Sequence, residues 1–216
     1  MCRWLVLSLV ALLVVGCSTV TWKTRLPYAG PVEMSIDAGQ FLPGTDVQYV
    51  AKGTGGARLS IGGKQAIKRI GDSLDWKGDM RRGVNVDQTY RVVLIAEEAL
   101  NVAGTVRIIV SNPTPQAGPV NESAPVHFEL PVGYHVAKGD EIPGTTITYL
   151  GQTDQGAQLG NVEGYAYREV GDAIVWKGKL VEGVWIELGL RTLLFTDDNL
   201  DVAGTVDIWI VPAGAR

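Results

Sequence analysis

The chain repeats itself at a spacing of one hundred residues, and that spacing limits what it can fold into. Val102-Ala103-Gly104-Thr105-Val106 recurs as Val202-Ala203-Gly204-Thr205-Val206. The same shift aligns Pro43-Gly44-Thr45 with Pro143-Gly144-Thr145, Gly71-Asp72 with Gly171-Asp172, and Trp76-Lys77-Gly78 with Trp176-Lys177-Gly178. Tyr49, Leu59, Arg91 and Leu100 also meet their own kind. From position 43 to 110 roughly a third of the residues are identical without an insertion. Two such units are too few and too long for a solenoid, and each has the size of a small independent domain.

Within each unit the side chains alternate with the period of a strand. Val84, Val86, Tyr90, Val92 and Leu94 alternate through one long segment, and Val184, Ile186, Leu188, Leu190 and Leu194 follow suit. These even positions are expected to face a core. Val102, Val106, Ile108 and Val110 behave likewise, with Gly104 and Gly204 expected at a bend or bulge. The 27 glycines punctuate short valine-rich segments, which suits strands and turns better than helices. The expectation is an all-β chain of two tandem homologous antiparallel domains with six to seven strands each. A small barrel and a two-sheet sandwich both bury one face of such strands.

The first residues read differently. Arg3 is followed by an apolar stretch from Trp4 to Val15, too short for a comfortable membrane span and built like a secretory signal. Its end, Leu13-Val14-Val15-Gly16-Cys17, resembles the lipobox of bacterial lipoproteins. The resemblance implies removal of residues 1–16, lipidation of Cys17, and a place on the outer side of a bacterial membrane. The only other cysteine, Cys2, lies in the discarded segment, so the domains contain no thiol for catalysis, zinc or disulfides. The expected layout is a lipidated N-terminus and tether over 17–31, a first domain over 32–111, a proline-rich linker over 112–125 and a second domain over 126–216.

Candidate chemistry is sparse. The run from Gly53 to Lys64 looks like a phosphate loop, but Gln65 follows the lysine where Ser or Thr is needed, so a hairpin turn is expected. His127 and His135 lack the neighbours of a triad or a metal site. Asp197, Asp198 and Asp201 lack the spacing of a calcium loop and read as a solvated turn. No catalytic residue, metal ligand or cofactor is expected. Asp72, Lys77 and Arg91 recur as Asp172, Lys177 and Arg191, as a shared structural ion pair or a shared site would leave them.

The units differ on the odd face, where Asn85 becomes Trp185 and Ile109 becomes Trp209, and where Tyr165 and Tyr167 replace Gln65 and Ile67. Outward aromatics stack on sugars or anchor protein contacts. Trp185, Trp209 and Arg191 therefore form the expected binding face, on which Trp185→Ala and Trp209→Ala should barely shift the melting temperature. Charge is also uneven: residues 32–111 carry ten Lys/Arg and nine Asp/Glu, whereas 126–216 carry six and thirteen. A second unit with net charge −7 disfavours nucleic acid and suits a cationic protein or polymer. The expectation is a non-enzymatic lipoprotein that binds or assembles, held by its lipid anchor and meeting an envelope protein or polysaccharide. The alternatives are an envelope hydrolase built around Asp172 and Arg191, or a structural spacer.

Overall fold

A computed structural model describes residues 22–214, so Cys17 and the signal lie outside the described residues. The chain is all-β, built from antiparallel sheets, and none of them closes into a barrel. The first half runs through β1 (Arg25–Asp37), β2 (Val47–Gly53), β3 (Gly56–Ile61), β4 (Lys64–Lys68), β5 (Ser73–Arg81), β6 (Val84–Ile95) and β7 (Ala99–Ser111). A short β8 (Gln116–Ala117) lies in the linker. The second half follows as β9 (Val126–Ala137), β10 (Thr148–Thr153), β11 (Gly156–Gly160), β12 (Tyr167–Arg168), β13 (Ala173–Val181), β14 (Val184–Phe195) and β15 (Asn199–Ile210). Large sheets of order β1-β7-β6-β5 and β8-β13-β14-β15-β9 are accompanied by small sheets β2-β3-β4 and β10-β11-β12.

Registers recur at the one-hundred-residue shift: Val84 faces Val110 and Val86 faces Ile108, as Val184 faces Ile210 and Ile186 faces Ile208. The even residues of the long strands are buried, including Val84, Val86, Tyr90, Val184, Ile186 and Leu188. Leu94 and Leu194 depart from the pattern. A bulge between Val92 and Leu94, matched between Thr192 and Leu194, shifts the alternation by one, so both leucines are more than half exposed. The bulge is therefore not at Gly104 or Gly204, which stand in regular register. Their smallness has a different cause: a Cβ on Gly104 would lie 1.9 Å from Thr89 O, and one on Gly204 2.0 Å from Gly189 O. Only glycine lets the neighbouring strand approach so closely.

Other shared motifs have equally local reasons. Trp76 and Trp176 lie over the glycine two residues on, where a Cβ would come within 3.0 Å and 2.5 Å of the indole. In Pro-Gly-Thr, the Thr45 and Thr145 hydroxyls donate to Leu42 O and Ile142 O and accept from Val47 N and Ile147 N. Gly44 and Gly144 adopt φ of 74° and 83°, a region that glycine enters without strain. The run from Gly53 to Lys64 forms two successive hairpin turns, β2–β3 and β3–β4.

The two halves share one buried cluster. The turn at Gly144 meets Leu26 and Tyr28 of β1, and the turn at Gly44 meets Val126 of β9. Gly30 is packed against Pro131 where β1 and β9 lie side by side. Each half also ends on the other half's sheet: Thr114 N–H donates to Leu180 O, and Ala213 N–H donates to Met80 O, both at 2.7 Å. Arg81 reaches Val211 O at 2.7 Å, and Lys23 pairs with Glu141 at 2.9 Å. Burial raises the phenol pKa of Tyr28 and Tyr134, whose hydroxyls find no partner among the described residues.

The segment expected as tether becomes strand at Arg25, because Leu26 and Tyr28 have a core to enter; Pro27 and Pro31 are tolerated because β1 is an edge strand. The linker is likewise fixed. Its β8 lies at one edge of the five-stranded sheet and β9 at the other, so 118–125 crosses the sheet.

Two outcomes follow from this packing. Gly204→Ala should cost about 1–3 kcal/mol or more, because the obstacle is backbone, as urea unfolding of the full chain would register. A fragment of residues 126–216 should melt well below the full chain, since Val126, Phe128 and the Gly144 turn lose their cover. Equal melting temperatures by circular dichroism would show the halves to be energetically independent.

Candidate functional site

The charged residues common to both halves are engaged in turns. Asp72 and Asp172 accept the backbone N–H of Arg69 and Glu169 at 2.8 and 2.7 Å. Arg91 and Arg191 donate to Gly71 O and Gly171 O at 3.1 and 3.2 Å. Lys77 pairs with Asp87, and Lys177 with Glu187, across neighbouring strands. Arg191 is thus part of a turn clamp at a distance from the tryptophans, ladder position Ala203 as against Trp209.

Trp185 and Trp209 do sit opposite each other on β14 and β15. They are not an open pair. Trp185 is half-buried, and Trp209 is only 8% exposed. The Trp209 indole stacks on His127 with centroids 4.9 Å apart and planes at 14°, and His127 Nε2 meets Asp207 Oδ1 at 2.8 Å. The odd face is covered there by His127, which stands opposite Trp209 on β9, and alternation along the strands alone does not reveal that pairing.

His135 meets Asp201 at 2.6 Å, and Lys138 meets Asp197 at 2.7 Å, holding that carboxyl below its usual range chiefly through the hydrogen bond. The acidic turn is therefore a set of surface pairs. Tyr165, on the loop that follows β11, and Tyr167, the first residue of β12, contact each other with ring centroids 5.4 Å apart.

That loop shapes a groove of about 630 Å³ along β13. In the first half, Gly62-Gly63 turns the chain directly into the five-residue β4. In the second half Asn161, with φ of 57°, sends the chain outward through Val162, Glu163 and Gly164, and only two residues remain paired as β12. Arg168 pins the displaced loop by donating to Tyr165 O, to Tyr167 O at 2.8 Å and, through Nε, to Ala173 O at 2.9 Å. Ile147, Val162 and Trp176 form an apolar floor, with the indole N–H donating to Thr146 Oγ1 at 3.2 Å. Ala117, Gly118 and Pro119 of the linker close one end.

Val175 stands beside the groove, 55% exposed, where the first half carries Asp75. Lys177 lies next to it, its pKa raised first by the hydrogen bond to Glu187 and further by the charges of Glu187, Glu122 and Asp207. Glu163 is exposed on the rim and makes no ion pair among the described residues. The arrangement offers an apolar trough with a free carboxylate and an exposed strand edge. The groove went unread in the sequence, although the exchange of Asp75 for Val175 and of Gly62-Gly63 for Val162-Glu163 signals it.

No family model matches the chain, and neither the curated proteins nor the solved structures yield a match.

The burial of Trp209 reverses the expectation of a small effect. Trp209→Ala should lower stability by about 3 kcal/mol or more, and Trp185→Ala by less, in thermal or urea unfolding of the full chain. Equal and negligible losses would mean that the odd face is open after all.

Proposed function

We propose that this chain is a lipid-anchored protein of the outer side of a bacterial membrane, in which two duplicated two-sheet β-domains form a non-catalytic module for binding or assembly. The observation that carries the reading is the groove along β13, present in the second half where the loop after β11 has moved outward and Val175 replaces a charged residue. A rigid pair of sheets with one apolar trough is the shape of a docking module. Shared polar residues absorbed by turn clamps speak for scaffold work at Asp172 and Arg191 rather than for a hydrolytic centre.

The anchor belongs to the same proposal. Gly16-Cys17 after an apolar run supplies the lipidation site, and acyl chains bury about 0.8 kcal/mol per methylene in the bilayer. The described fold begins within a few residues of that cysteine, so the module sits close to the membrane surface.

Cys17→Ser should abolish lipid labelling and leave the precursor uncleaved; labelling that persists rules the anchor out. A chain lacking residues 1–17 should still be retained on isolated cell envelope, through its protein surface alone. Complete loss of retention would refute the binding role.

A further inference from the structure

We infer that the open edge of β13 at 173–176 takes up an extended segment of another protein as an added strand, and that this segment alternates apolar with basic side chains. The inference rests on the binding-module reading and gives it a partner class.

The geometry begins with the backbone. Lys177 O accepts from Gly118 N, and Ala173 O accepts from Arg168 Nε, so residues 173 and 177 direct their peptide groups away from β14. Val175 lies between them with the same parity, and its N–H and C=O point to the same side. The linker already pairs with this edge further along, where Gln116 and Ala117 face Lys179 and Gly178. It then turns away at Gly118-Pro119, and no described strand continues the ladder beside Val175. The edge is thus shown to accept an antiparallel strand by one that stops short.

The other outer edges of the large sheets are guarded. β1 carries Pro27 and Pro31, β9 carries Pro131, and β5 carries Asp75 at the position equivalent to Val175. Proline and charge are the usual means of blocking strand addition. On β13 the run Ala173-Ile174-Val175-Trp176 has neither, and the groove leaves room beside it for alternate side chains.

Charge selects the occupant. A second copy meeting this edge about a two-fold axis would bring two halves of net charge −7 together. A strand with basic residues is drawn instead to Glu163 on the rim and to the acidic half as a whole, because of the two cations in the groove Lys177 is paired with Glu187 and Arg168 is engaged by the carbonyls of Tyr165, Tyr167 and Ala173.

The test uses the chain without residues 1–17 and a short synthetic peptide alternating valine and lysine. Binding should protect the Val175 and Lys177 amides from hydrogen exchange. Val175→Lys, which sets a charge of the peptide's own sign on the exposed edge, should weaken binding about tenfold or more with an unchanged melting temperature. A peptide N-methylated at alternate residues, with the same side chains, should lose binding, and a valine-glutamate peptide should not bind. Absent amide protection, or equal binding of the N-methylated peptide, overturns strand addition. If Val175→Lys also leaves envelope retention intact, the module reading survives and its site lies elsewhere; if the unmodified chain is not retained either, both fall.

Discussion

Long strands must be covered along their whole length, and here no single small sheet can do it. Strands of twelve and thirteen residues run through both large sheets, whereas the sheets laid on them have strands of five to seven residues and, in the second half, shorter still. An apolar face left uncovered costs free energy in proportion to its area. The halves remove that cost mutually: Leu26 and Tyr28 of one reach the Gly144 turn of the other, and Val126 reaches the Gly44 turn. The exchanged chain ends, Thr114 on Leu180 and Ala213 on Met80, tie down the same arrangement through the backbone. The reciprocal cover explains why Pro-Gly-Thr stands in both halves: each copy is at once a local turn and a contact with the opposite strand.

Alternation in the sequence revealed the inward face of β6, β7, β14 and β15, because burial on one side of a strand leaves a period of two. It failed at Leu94 and Leu194 because a bulge changes the phase without changing residue types. Gly104 and Gly204 were legible as special positions, but the reason, a carbonyl of the neighbouring strand where a Cβ would be, is a matter of strand approach and leaves no local signature. Trp209 was legible as odd-facing and not as covered, since the His127 ring that stacks on it comes from β9, whose place beside β15 depends on strand order.

The groove shows a related lesson. Its parts are ordinary residues, Val162, Val175 and Trp176, and nothing in their types suggests a site. Only comparison of the two halves brings it out, because the first half shows the same position with the loop paired as β4 and the edge carrying Asp75. The first half is thus a closed version of the second, within one chain and on one scaffold.

The full registration of β1 with β7 has a mechanical meaning. Every residue from Arg25 to Asp37 faces a partner between Ser111 and Ala99. A pull applied at Arg25 along the strand loads all these bonds together, in shear, rather than opening them one at a time. The described chain therefore enters the fold at a strand arranged to bear tension.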